Sequence, residues 1–149
     1  MDRLDSRRRS ENMRRIGPKD TTPEMCVRRL VHGLGFRYRL HCRDLPGKPD
    51  LVFPSRKKVI FVNGCFWHRH PGCPYAYTPK TRVEFWTAKL DGNRMRDLRN
   101  LEILEKQGWK ALTVWECETI DVERLTRLLR RFLRAGPDAA AAKRDRMNE

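Results

Sequence analysis

Residues 46–63 read Pro46-Gly-Lys-Pro-Asp50-Leu-Val-Phe-Pro-Ser-Arg-Lys-Lys-Val-Ile-Phe-Val-Asn63. Leu51-Val-Phe53 and Val59-Ile-Phe-Val62 are apolar without a polar alternation, the pattern of strands buried on both faces rather than of a sheet with one wet side. The Pro-Gly-Lys-Pro turn ahead of the first run and the polar break from Ser55 to Lys58 bound them. These two short strands imply a sheet covered by helices on both sides.

The flanking segments supply those helices. Thr22 can cap a helix that Pro23 opens, with Val27, Leu30, Val31 and Leu34 on one face and Gly35 at its end. Phe36 to His41 alternates, with Phe36, Tyr38 and Leu40 facing one way and Arg37, Arg39 and His41 the other, as in an edge strand. From Thr81 to Gln107 a helical pattern is broken at Asp91-Gly92, and Leu98, Leu101 and Leu104 form its apolar stripe. A strand over Trp109 to Trp115 follows. A last helix runs from about Asp121 to Arg134, with Val122, Leu125, Leu129 and Phe132 on one face. The order αβββαβα gives an α/β fold, a mixed sheet between helices. Residues 20–134 form a single domain, preceded by a basic arm at 1–19 and followed by a disordered tail at 135–149.

Charge narrows the partner. The 149 residues carry 33 Lys and Arg against 19 Asp and Glu, a net +14, and the pI is near 10.3. Such a field favours polyanions, nucleic acid first; a merely basic soluble surface is the plainer reading. The arm alone holds seven basic and three acidic residues and reads as a segment that orders on a polyanion. No apolar run reaches the ~18 residues of a membrane span and no signal-peptide core is present, so the expected location is the cytosol, beside the nucleoid. Five cysteines without an export signal favour metal ligation or plain burial over a disulfide framework.

The chemistry is concentrated between Asp50 and Cys73. Asp50 follows Pro49 at the start of a strand, where its carboxylate projects at the sheet edge and suits Mg²⁺. Pro-Asp with a second strand a dozen residues on is the outline of the restriction-endonuclease-like PD-(D/E)xK superfamily, although Val62-Asn63 stands where an acidic residue and a lysine are usual. Cys65, His70 and Cys73 are close enough in sequence for one tetrahedral Zn²⁺, with Cys117, just after the last strand, as the natural fourth ligand. Cys26 and Cys42 read as ordinary thiols. His68 read alone is a surface histidine beside a zinc ligand, and Asp97 a partner in a solvated helix salt bridge. Phe66 and Trp67 are adjacent aromatics in a polar loop and cannot both point into a core.

Leu45-Pro-Gly-Lys-Pro-Asp50, Val59-Ile-Phe-Val-Asn-Gly-Cys-Phe-Trp-His68, Thr81-Arg-Val-Glu-Phe-Trp86 and Val114-Trp-Glu-Cys117 resemble the very short patch repair (Vsr) endonucleases, over a span from about Asn12 to Cys117. The resemblance implies a Mg²⁺-dependent nuclease that nicks double-stranded DNA 5′ of the thymine in T·G mismatches left by deamination of 5-methylcytosine. It implies a bacterial, monomeric enzyme linked to a cytosine-5 methyltransferase, a repair polymerase and a ligase. Asp50 and the carbonyl of Val62 would hold Mg²⁺, His68 would move the proton of the attacking water, Asp97 would orient His68, and Glu24 would hold water carried by the metal. Cys65, His70, Cys73 and Cys117 would form a structural zinc site. Phe66, Trp67 and Trp86 would wedge beside the mismatch, and Met13, Arg14 and Arg15 would close on the opposite groove. Two departures stand out: Asn63 replaces a second active-site histidine, and the His70 to Cys73 interval is one residue longer. The competing readings are a zinc-stabilised mismatch-binding protein without catalysis and a sequence-specific nuclease outside repair.

Overall fold

The computed structural model describes residues 21–135. The arm with Met13, Arg14 and Arg15, and the chain beyond 135, lie outside the described residues. In chain order the elements are α1 (Thr22–Gly33), β1 (Arg39–Leu40), β2 (Leu51–Phe53), a 3-10 turn (Pro54–Arg56), β3 (Lys58–Asn63), α2 (Val83–Lys106), β4 (Lys110–Trp115), a second 3-10 turn (Glu116–Ile120) and α3 (Val122–Arg134). This is the expected αβββαβα order. The strands lie side by side as β1-β2-β3-β4, antiparallel except for the parallel β3–β4 pair.

The strand pattern divides the core in two. Leu51, Phe53, Ile60 and Val114 face α1 and α3, packing with Val27, Val31, Leu125, Leu129 and Leu133. Val52 and Val59 face the other way, against Leu104 of α2 with Trp109 and Phe61. Because β2 and β3 pair Leu51 with Ile60 and Val52 with Val59, each face stays apolar across the strands. Both faces are therefore covered, as the unalternated apolar runs require.

Buried Lys58 shares the α1/α3 face. Its ammonium donates to the carbonyls of Phe132, at 2.6 Å, and of Ala135. Arg56 Nη1 donates to the Leu133 carbonyl at 3.0 Å. Two cations thus satisfy carbonyls at the C-terminus of α3, where a helix leaves acceptors unpaired and its dipole is negative.

Several local expectations are corrected. The cap of α1 is Thr21, not Thr22: its Oγ1 accepts the Glu24 N–H at 3.4 Å, and Pro23 falls inside the first turn. The strand expected over Phe36 to His41 shrinks to Arg39–Leu40, because His41 turns to φ 48° and ends it; Leu40 is 41% exposed. The break at Asp91-Gly92 does not occur. Asp91 and Asn93 hold the 64–82 loop, by an ion pair to Arg69 and a hydrogen bond to the Trp67 carbonyl, and buried Leu90 anchors the same turn. These contacts outweigh the roughly 1 kcal/mol that a helical glycine costs relative to alanine. In the expected stripe of α2 only Leu104 is buried, while Leu98 is half exposed. In α3, Val122 is exposed and Leu133, absent from the expected face, is buried.

Candidate active site and metal cluster

Asp50 is delivered by the turn before β2. Gly47 and Lys48 both take positive φ, 77° and 51°, and the Lys48 N–H donates to the Leu45 carbonyl at 3.1 Å. A Cβ on Gly47 would come within 3.1 Å of Phe61 and Asn100, so this turn requires glycine. Asp50 Oδ2 accepts the Val62 N–H at 2.6 Å, and the Asp50 carbonyl accepts the His41 N–H at 3.1 Å. Burial pushes the Asp50 carboxyl up to about 7. The Val62 N–H opposes that rise, Glu24 adds to it, and His68 pulls the value down.

Glu24 comes from the first turn of α1 and is 1% exposed. Its Oε2 meets Arg28 Nη2 at 2.5 Å and His41 Nε2 at 3.0 Å. Ligand atoms of Glu24, His41 and Asp50 all fall within 4.8 Å of one another. The period-two pattern had turned His41 away from this group. No sequence signal marks it, because the left-handed backbone that redirects it is not a property of the residue type alone.

Across the same cleft, His68 Nδ1 lies 2.6 Å from Asp97 Oδ2. The loop after β3 supplies the imidazole, on a residue whose main-chain N–H donates to the Gly64 carbonyl at 3.1 Å, and α2 supplies the carboxylate. A carboxylate on Nδ1 fixes the ring's orientation and leaves Nε2 for a proton. Asp50, Val62, Asn63, His68 and Asp97 line one cleft of about 410 Å³, with Arg43 and Lys48 also on its wall. Asp97 thus pairs with an imidazole of the facing loop, and both side chains stay partly exposed.

The loop after β3 and the turn after β4 form a sulfur and nitrogen cluster. Cys65, His70, Cys73 and Cys117 place one ligand atom each within 4.8 Å of the others. His70 Nδ1 is 3.7 Å from Cys65 Sγ and 3.5 Å from Cys117 Sγ. A tetrahedral ion with ordinary zinc bond lengths separates such atoms by about 3.6 Å. The His70 ring stacks on Trp115 at 4.2 Å and 11°, which fixes the plane of its lone pair. Gly72, at φ 71°, turns the chain between His70 and Cys73, with the Cys73 N–H donating to the His70 carbonyl at 3.3 Å. Burial pushes the Cys65 thiol up to about 12; the Cys117 main-chain N–H opposes that rise, and the Cys117 and Cys73 thiols add to it. A buried thiol crowded by two others is an environment whose effect a cation reverses.

The same loop and the first turn of α2 bring together an aromatic group. Phe66 stands 5.0 Å from Trp67, 5.6 Å from Trp86 and 5.2 Å from Tyr77, and Phe85 is 5.4 Å from Trp86. Arg82 covers the Phe85 ring at 4.3 Å. Tyr77 and Phe85 are 61% and 45% exposed. Sequence reading found Phe66, Trp67 and Trp86 and passed over Tyr77 and Phe85. An aromatic between prolines with no periodic partner was the available sign for Tyr77.

Residues 1–73 match a family model described as DNA mismatch endonuclease Vsr. The chain is 48% identical over 132 residues to the Type II nicking enzyme V.XorIIP of Xanthomonas oryzae pv. oryzae, covering 89% of this chain and 96% of that protein. It is 43% identical over 122 residues to the DNA mismatch endonuclease Vsr of Escherichia coli K12, covering 82% and 78%. The Type II nicking enzyme V.NmeAIP of Neisseria meningitidis serogroup A is 43% identical over 127 residues, covering 83% and 90%.

Proposed function

The chain belongs to the Vsr family of DNA mismatch endonucleases, and from that premise we propose that it nicks double-stranded DNA 5′ of the thymine in T·G mismatches. The observation that carries this reading is the convergence of Asp50 with the His68–Asp97 pair in one cleft. Such mismatches arise where 5-methylcytosine deaminates, so the nick starts a short repair tract completed by a polymerase and a ligase, beside a cytosine-5 methyltransferase. The reading places a monomer in the bacterial cytoplasm, at the nucleoid. No helix among the described residues is long and apolar enough to cross a membrane.

A divalent cation fits the Asp50 side of the cleft. Two carboxylates lie together there, and the Asp50 carboxyl is pushed up to about 7, first by burial and further by Glu24. Asp50 and the Val62 carbonyl would hold Mg²⁺, with Glu24 binding water in its shell. Bound there, the cation neutralises charge that builds on the phosphate. The protein does the rest. His68 Nε2 takes the proton of the attacking water, while Asp97 holds the ring and stabilises its charged form. Asn63, in place of a histidine, can donate to a phosphate oxygen but carries no proton. Arg43 and Lys48 draw the backbone in.

Zinc fits the second cluster on its donor set and spacing: three thiols and one imidazole, with sulfur to nitrogen separations near the edge of a tetrahedron. It would stiffen the loop that carries Phe66, Trp67 and His68. Those two aromatics with Trp86 form the wedge, and unstacking is easiest at a mismatched step, so insertion discriminates as well as grips. Met13, Arg14 and Arg15 would grip the opposite groove.

The test incubates the purified protein with T·G and C·G duplexes in varied flanking sequence, with Mg²⁺ or EDTA, beside Asp50→Ala and His68→Ala. Mg²⁺-dependent nicking of T·G alone, lost in both variants, is expected. Nicking indifferent to the mismatch sinks the repair assignment. Tight mismatch binding without nicking favours a non-catalytic sensor.

A further inference from the structure

Glu24 is an almost fully buried carboxylate, and something must hold its charge and its direction. Arg28, one turn along the same helix, contacts Oε2 at 2.5 Å. That contact neutralises Glu24 but comes from its own helix, so it cannot fix α1 against the sheet. His41 makes the cross-connection. Its Nε2 lies 3.0 Å from Oε2 and 3.1 Å from Oε1, and 3.4 Å from Arg28 Nη2.

The same residue holds Asp50 through its main chain, whose N–H donates to the Asp50 carbonyl at 3.1 Å. Its φ of 48° is uncommon for a residue with a side chain and persists where surrounding contacts determine it. That turn ends β1 and swings the ring from the sheet edge into the cleft wall. One residue therefore ties together the two chain segments that bear the carboxylates.

We propose that His41 is a positioning residue of the cation site: its ring fixes the Glu24 carboxylate, and its main chain the Asp50 segment, at the separation a shared divalent ion requires. The assignment rests on the cation reading of Asp50 and Glu24 given above. His41 acts through Glu24 and has no contact with the reacting atoms in its role.

The test measures Mn²⁺ binding to the full chain by electron paramagnetic resonance, for wild type, His41→Gln and His41→Ala, with nicking kinetics and circular dichroism alongside. Loss of a group that orients a metal's partners typically costs 10- to 100-fold in affinity, so about a 10-fold loss is expected in His41→Ala. KM for DNA should stay near wild type while kcat falls. His41→Gln keeps a donor near the Nε2 position and should recover most of the affinity. It also carries the test alone if His41→Ala does not fold. Unchanged Mn²⁺ affinity in His41→Ala, or no recovery by glutamine in a folded protein, overturns the proposal. A wild-type chain that binds Mn²⁺ through Asp50 yet nicks nothing overturns the proposed function and leaves the His41 assignment intact.

Discussion

His68 Nδ1 and Asp97 Oδ2 meet at 2.6 Å across 29 positions of chain, a loop imidazole held by a helix carboxylate on the wall of the cleft that contains Asp50. The carboxylate can hold one tautomer; an amide offers its NH₂ as readily as its oxygen. Asp97→Asn should therefore slow single-turnover nicking by about 10²- to 10⁴-fold, the range for a mispositioned general base. Mismatch binding should be unaffected. A nicking rate close to wild type would show that the pair is only a structural contact.

Asp50 gives a prediction of opposite signs for stability and activity. Its value in the fold, about 7, lies above the ordinary 3.8, so the fold favours the neutral acid. In the metal-free protein its contribution is fully present below about pH 4 and is lost as pH rises towards 7. Asp50→Asn keeps an acceptor for the Val62 N–H and removes the charge. At pH 8 without metal it should be more stable by about 1–3 kcal/mol, several degrees in Tm, and inactive. Thermal melts from pH 4 to 8 test this: equal pH dependence in the two proteins would refute it. Mg²⁺ should raise the melting temperature of wild type and not that of the variant.

Cys117→Ser should reduce bound zinc, read by atomic absorption, and destabilise the protein by at least about 2 kcal/mol, as loss of a structural metal does. Cys26→Ser should leave zinc content alone, since Cys26 packs against the α1/α3 core. Full zinc occupancy in Cys117→Ser would remove it from the ligand set.

The aromatics of this group should differ in consequence. Trp67→Ala should cost about 1–3 kcal/mol in mismatch binding, the scale of one base-stacking side chain. Tyr77→Ala, which removes a solvent-exposed support of Phe66 rather than a wedge of its own, should cost less. Fluorescence anisotropy with T·G and C·G duplexes measures both. Equal losses on the two duplexes would argue against a role in discrimination.

The sheet and its cover were legible because Leu51 to Phe53 and Val59 to Val62 lack polar alternation, a local property. The cysteine and histidine cluster was legible for a similar reason: three of its four members fall within nine residues. What escaped was set by contacts distant in sequence. Gly92 reads as a helix break until Asp91 and Asn93 are seen anchoring the 64–82 loop. Leu98 keeps its helical spacing but sits half exposed on a cleft wall rather than in the core. His41 follows a clean alternation for five residues, then leaves it through one dihedral angle.

The parallel pairing of β3 with β4 has a consequence for assembly of the molecule. Asn63 stands opposite Trp115, and Cys65 and Cys117 lie at equal steps beyond them in sequence. A slip of one residue would shift one thiol by about 3.3 Å relative to the other, beyond what a bond to a common ion tolerates. The cluster thus acts as a vernier on the sheet, closing at a single alignment of the two strands. An ion captured there would select that alignment in a pairing joined through a long crossover, the kind of contact that forms slowly. With a metal bound as proposed, its supply would bear on how the chain reaches its fold as well as on how rigid it is afterwards.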